Sequence, residues 1–288
     1  MRPAKLARDV VDWALHTEGS SRPAGLMRCG LGMLVWARYG SEMILYRDLS
    51  PERVALSCAF MLLSTLMVVG LWSRTSTAGT AGVLAVMYFH IGHGQGYVNW
   101  LHHHNYLLLA ATVLCALTPC DRSYSLDRVL AIRRAHRTGA CPAPVPPERG
   151  NLWGHRLIAL QLSAIYFWGA YDKSFVGFLD GDRLEHYLMF YYLDSDYPQW
   201  TGFRALMTTL GTTTVVLEYV LAVGLFIPRL RTPVLIAGVL MHLVFYVLLS
   251  VVTFSLNMIL LYLAVIDADR THRFIDELHG VSPERASP

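Results

Sequence analysis

The sequence predicts an all-α, polytopic integral membrane helical bundle, and three observations carry that reading. Charged residues make up only 16% of the 288 positions and hydrophobic ones 54%, against about 25% charged in ordinary soluble chains. Mean hydropathy is +0.37. The apolar residues also gather in runs, each near the roughly 20 residues that an α-helix needs to cross a bilayer. Such a composition excludes a soluble enzyme, a nucleic-acid binder and a disordered regulator.

Residues 1–24 carry Arg2, Lys5, Arg8 and Arg22 and lack the apolar core of a cleavable signal peptide. Leu6, Val10, Trp13 and Ala14 recur at helical spacing, so the segment reads as a cytoplasmic interfacial helix. Residues 25–267 form the membrane domain, with about eight crossings at roughly 25–46, 54–72, 76–98, 104–119, 155–171, 208–228, 232–251 and 253–267. The run from Val54 to Trp72 contains no charge at all. In the first run, Arg28, Arg38 and Glu42 must face a bundle interior, a partner or the headgroups. The last run is short, and Ser250 to Thr253 reads equally as a bend within one long helix.

Basic residues orient the bundle. Of the 24 Lys and Arg, 22 are Arg, leaving Lys5 and Lys173. With eight crossings starting inside, sixteen fall on the inner side and five on the outer, which predicts both termini in the cytoplasm. The basic loop 120–153, with Pro142, Pro144, Pro146 and Pro147, is then a cytoplasmic linker able to touch anionic lipid. On the outer side, within the interfacial segment 172–207, Leu184, Tyr187, Leu188, Tyr191 and Tyr192 alternate with Asp182, Arg183, Glu185 and Asp194. That pattern suits a helix lying in the outer interface, with Tyr187 and Tyr191 at a substrate mouth. Residues 268–288 form a cytoplasmic tail. The five cysteines make no CxxC pair and read as small packing residues.

Five of the twelve histidines, His90, His93, His102, His103 and His104, fall within one short window at the ends of the third and fourth runs. Imidazoles at a membrane boundary are costly unless they serve something. Interfacial hydrogen bonding needs no metal, while the alternative makes all five candidate metal ligands, since neutral imidazole is the usual transition-metal ligand. Lys173 is the second signal. It follows Asp172, the first charge after fifteen uncharged residues from Leu157 to Tyr171. It either snorkels to the headgroups or is held in an apolar pocket as a base. Glu218 and His242 lie mid-run and each needs a partner: each other, Arg28, Arg38 or a ligand.

Three stretches carry a family resemblance. They are Leu101-His-His-His104-Asn-Tyr-Leu107, Thr118-Pro-Cys-Asp-Arg-Ser-Tyr-Ser-Leu-Asp127, and Ile165-Tyr-Phe-Trp-Gly-Ala-Tyr-Asp-Lys173 through Leu179-Asp-Gly181. In segment order the chain resembles the membrane core of vitamin K-dependent γ-glutamyl carboxylases and their bacterial relatives, the HTTM-domain proteins. The resemblance implies that Lys173 is a catalytic base and His104 a residue needed for the reaction. It also implies a reduced quinone, menaquinol or vitamin K hydroquinone, as cofactor, with His103, Asn105 and Tyr106 around it. Trp168, Tyr171, His242 and Glu218 complete that set. In such enzymes quinol reacts with O₂, the oxygenated quinone becomes a strong base, and removal of an unreactive C–H proton lets CO₂ add, with epoxidation of the quinone.

Asp172 stands where the family commonly has another lysine, and His102 and His103 replace an amide-rich stretch. The large extramembrane C-terminal region of the peptide carboxylases has no counterpart after the last run. The expected substrate is therefore small or lipidic rather than a protein, although a peptide stays open, and the expected reaction is of the epoxidase and carbon–carbon lyase type. The expected setting is a bacterial inner membrane with the active site on the periplasmic side and no nucleic acid partner. Two rivals stand beside it: a metal-dependent membrane oxygenase on the histidine cluster, and a transporter or lipid-binding bundle in which Glu218, His242 and Arg38 line a polar path.

Overall fold

A computed structural model describes the chain except residues 1–4, 6, 7, 10, 45–49, 138–146, 195, 250 and 281–288. Arg2, Leu6, Val10, Pro142, Pro144, Pro146 and Ser250, named above, and Cys141 of the five cysteines lie outside the described residues. The chain divides into two compact units, residues 1–158 with 260–288, and residues 159–259.

In the first unit, a strand β1 (Glu18–Ser20) leads into helix α1 (Arg22–Ile44), then α2 (Pro51–Val69) and α3 (Ser73–Ala85), which continues as π-helical turns over Val86–Gly94. Helices α4 (His103–Ala116) and α5 (Leu126–Arg137) and a strand β2 (Arg149–Asn151) follow. Helix α6 (Trp153–Lys173) starts here, and the chain returns at its end with α12 (Ala268–Leu278). Helices α1 to α4 pack in sequence, and α1 also touches α4. Their core is Met27, Leu31, Phe60, Met67, Leu108 and Cys115, all at or near complete burial.

Arg28 lies inside this core with no exposed surface. Its guanidinium donates to the carbonyls of Met67 and Val68 (3.1 Å), Cys120 (3.2 Å) and Tyr124 (2.6 Å). It therefore satisfies the open carbonyls at the C-terminal end of α2, where the helix dipole favours a cation. Gly70 caps that end at φ +73°, and a Cβ there would sit 2.7 Å from the Arg28 Nη2. A side chain at this position would collide with the arginine and strain the backbone.

Strands β1 and β2 pair antiparallel, Gly19 opposite Gly150. Around them Arg22 bonds Glu148 (2.9 Å) and Asp276 (2.7 Å), Arg128 bonds Glu148 (2.9 Å), and Arg149 bonds Asp269 (2.8 Å). The carboxylates hold the Arg22 guanidinium above its ordinary value in spite of burial. The two segments expected as an interfacial helix and a linker thus each contribute a strand. Among described residues of the N-terminal segment, Asp12–His16 forms π-helical turns.

In the second unit, α6 continues to Lys173 and is followed by α7 (Val176–Leu179), α8 (Asp182–Tyr192), α9 (Phe203–Gly224), α10 (Pro228–Leu248) and the start of α11 (Val252–Leu261). Helix α9 packs on α7, α8 and α10. The amphipathic stretch after Asp180 is helical over Asp182–Tyr192. Its Glu185 accepts from Arg204 at the start of α9 at 2.7 Å.

The expectation of about eight crossings is corrected. Among the described residues three helices are long and apolar enough to cross a membrane, α2, α9 and α10, or four if α11 through Ala264 and α12 count as one span bent by 96°. The reasons are local. Helix α1 has sufficient length but carries Arg22, Arg28, Arg38 and Glu42. Helix α3 is a run of Ser, Thr, Ala and Gly with an Arg, and loses α-geometry after Ala85. Helix α4 has 14 residues, about 21 Å at the α-helical rise, short of the ~30 Å hydrocarbon core. Helix α6 includes His155, Arg156, Gln161, Asp172 and Lys173. The orientation that rested on eight crossings falls with the count.

Candidate functional site

The first candidate site opens helix α4. His102 is its N-cap, and its ring accepts from the His104 N–H at 3.5 Å. A capping residue must turn its side chain back over the first turn, which brings three successive imidazoles together. Ring centroids lie 4.4 Å apart for His102 and His103, 4.3 Å for His102 and His104, and 4.0 Å for His103 and His104. One ring nitrogen from each lies within 4.8 Å of the others, so the group can hold a metal ion. Burial lowers the pKa of both His103 and His104, and the neighbouring imidazoles add to it. Arg38 contributes further to His104, which is pushed down to about 3. Both rings are therefore neutral at neutral pH, the form that binds metals.

A polar network supports this turn from below. Asn105, buried next to His104, donates to the carbonyls of Asn99 (3.2 Å) and Trp100 (3.3 Å) and accepts from Arg38 Nε at 3.1 Å. Arg38 also bonds Asn99 O (3.0 Å) and Glu42 (2.7 Å), and Glu42 accepts from the Trp100 indole. The charges Arg38 and Glu42, costly in an apolar helix, neutralise each other and fix the loop that delivers the histidines. Tyr106 points outward and meets Tyr88 at 5.5 Å. His90 and His93 stand outside the converging group. His90 bonds Glu52 at 3.0 Å, and His93 stacks on Phe89 at 6.3 Å.

The second candidate site lies in the other unit, on α6 and α9. Lys173 Nζ donates to both Glu218 oxygens at 2.8 Å and to Gly169 O at 3.1 Å. Glu218 is 4% exposed. One helical face of α6 carries Tyr166, Gly169 and Lys173, since these positions recur at three and four residues. Gly169 leaves the space for the ion pair, because a Cβ there would lie 3.3 Å from Lys173 Nζ and 3.5 Å from Glu218 Oε2. Two turns before Lys173, the Tyr166 hydroxyl meets His242 Nε2 at 2.7 Å, with both residues buried. Phe245 and Phe254 stand edge-on to the His242 ring at 5.8 and 5.5 Å.

Of the residues expected to act together, the structure unites Lys173 with Glu218, and His102 with His103 and His104. Glu218 and His242 take Lys173 and Tyr166 as partners rather than each other, Arg28 or Arg38. Trp168 and Tyr171 lie on the exposed face of α6 with their rings 5.6 Å apart. Tyr187 donates to Leu249 O at 2.7 Å and stacks near Tyr191 at 4.4 Å. His104 belongs to the first unit and Lys173 to the second. Sequence reasoning missed Tyr166, although its spacing of seven from Lys173 places both on one helical face.

These helices, with a histidine cluster able to hold a metal, define a helical membrane protein. The model of the HTTM domain matches residues 45–269, and the chain belongs to the HTTM-domain family. No curated protein and no solved structure matches it. The match supports the family as a whole and does not single out the vitamin K-dependent carboxylases within it.

Proposed function

We propose that this HTTM-domain protein is a metal-dependent membrane enzyme, an oxygenase, whose metal is held by His102, His103 and His104. The carrying observation is the convergence of three ring nitrogens within 4.8 Å on one helical turn. Imidazole donors suit iron, copper, zinc or nickel. Such an ion, when bound, supplies Lewis acidity or O₂ chemistry. The chain's own part is to bring three imidazoles together, to hold their turn through Asn105 and Arg38, and to bring substrate from the bilayer. Elemental analysis of protein purified without chelators tests this reading. Near-stoichiometric transition metal in the parent and its loss in His103→Ala would support it, and a metal-free parent that also fails to take up added iron, copper, zinc or nickel would refute it.

The Lys173–Glu218 pair favours a second reading, a quinol- and O₂-dependent reaction akin to that of the carboxylases. A reduced quinone would supply a strong base after oxygenation, for removal of a C–H proton and addition of CO₂ to a small or lipidic substrate. Lys173 would take a quinol proton. Its contact with Glu218 at 2.8 Å gives that step a physical route, since a proton can pass between the amine and the carboxylate. Anaerobic menaquinol followed by O₂ should then give quinone epoxide with the parent and none with Lys173→Ala. Epoxide from a folded Lys173→Ala protein would remove Lys173 from the reaction.

A further inference from the structure

Helix α5 begins where a membrane-crossing helix ends. Helix α2 stops at Gly70, whose carbonyl accepts the Asp127 N–H at 3.0 Å. The Asp127 carboxylate in turn accepts the N–H of Trp72 at 2.8 Å and of Ser73 at 2.7 Å. The first turn of α5 is thereby pinned at the level where α2 leaves the hydrocarbon. Trp72, 69% exposed, stands at the same junction, the depth that indole rings favour.

The two faces of α5 differ in kind. Its inner face packs through Ala135 and holds Arg128 against Glu148 at 2.9 Å. At 3.6 residues per turn, Leu126, Val129, Arg133 and Arg137 fall together on the opposite face, with Arg134 at its edge, and all five are exposed. Among the described residues no ion pair engages Arg133, Arg134 or Arg137. An outward face that mixes aliphatic side chains with three cations lacking an ion-pair partner among the described residues suits a headgroup layer.

We propose that α5 is an in-plane anchor that docks on anionic phospholipid, with Leu126 and Val129 at the acyl boundary and Arg133, Arg134 and Arg137 on the phosphates. Charge complementarity selects anionic over zwitterionic lipid, and the tether to α2 supplies the bilayer. The inference does not depend on which chemistry the protein performs.

The test uses the full chain in nanodiscs of phosphatidylcholine alone or mixed with phosphatidylglycerol. Lipid retention is read by native mass spectrometry, and amide exchange is read over residues 126–137. The parent should retain phosphatidylglycerol selectively and show slower exchange in the mixed discs. The R133Q/R134Q/R137Q variant should lose retention by about fivefold per arginine, while R133K/R134K/R137K should keep most of it. Neither variant touches Asp127 or Arg128, so both should fold. Retention by the glutamine variant equal to the parent's would overturn the proposal. Equal exchange in the two discs would do the same, as would displacement of phosphatidylglycerol by soluble glycerol phosphate, which would mark a site for free anions.

Discussion

Lys173 and Glu218 illustrate what a single contact demands of a membrane helix. A carboxylate that is nearly sealed from solvent cannot stay ionised without a cation at hydrogen-bond distance. Removing one partner should therefore cost more than removing both. Lys173→Met is expected to lower stability by about 3 kcal/mol, and Lys173→Met combined with Glu218→Leu by clearly less. Thermal melts in detergent of the parent, Lys173→Met, Glu218→Leu and the double variant give the coupling directly, and additive losses would show that the pair is not energetically linked.

His155 provides a pH-dependent counterpart. It is buried, neither ring nitrogen has a hydrogen-bond partner among the described residues, and burial together with Arg156 pushes its pKa down from 6.5 to about 4. Between those values the unfolded chain binds a proton that the folded chain refuses. Stability should therefore be full above about pH 6.5 and fall by about 3 kcal/mol toward pH 4. His155→Phe should flatten that part of the melting profile. A profile as steep as the parent's would assign the effect to other groups, His104 first.

At the scale of elements, Arg28 is the clearest structural device. Its fork reaches carbonyls of α2 and of the segment after α4, so Arg28→Met should strand buried acceptors and cost about 3 kcal/mol. Arg28→Lys should restore only part, because an ammonium lacks the planar fork. Melting temperatures rank the three proteins, and equal stability of the methionine variant would contradict the role.

The same scale shows how far the sequence could be read. Helices α2, α9 and α10 were legible because their apolar runs are long and nearly free of charge. The excess crossings are runs that charge, small polar residues or insufficient length keep from spanning. Arg28, Arg38 and Glu42 satisfy one another or nearby backbone inside a packed unit, so α1 is a charged core helix and not an uninterrupted apolar one. The run over 76–98 contains helical residues, yet its Ser, Thr and Gly content and the loss of α-geometry after Ala85 break it. The histidine cluster was visible as three adjacent letters. The separation of His90 and His93 from it was not, since it depends on Glu52 and Phe89. Nor could spacing disclose pairs that lie 45 and 76 positions apart, Lys173 with Glu218 and Tyr166 with His242. The pairing of Glu18–Ser20 with Arg149–Asn151 is equally remote in sequence and lies in segments without strand-like alternation.

At the scale of the whole molecule, each of the two units carries its own cluster of reactive groups, the histidine turn on the short α4 and the lysine–glutamate pair on α6 and the apolar α9. The histidine turn rests on the Arg38, Glu42 and Asn105 network of its own unit, and the lysine–glutamate pair on the α6 and α9 faces of the other. Arg38→Met should consequently weaken metal binding at His102–His104 without removing a ligand, since it frees Asn105 and the preceding loop. Equilibrium dialysis against zinc should show a loss of about tenfold or more, and unchanged affinity would restrict the network to a structural part.

The most direct test of the proposed metal centre is a cobalt(II) titration of the purified full chain, followed by visible absorption. Saturation at one equivalent, with ligand-field bands that vanish when His102, His103 and His104 are each replaced by alanine, is the predicted result. Bands of the same intensity in those three folded variants, or no bands in the parent, would contradict a metal centre at this turn.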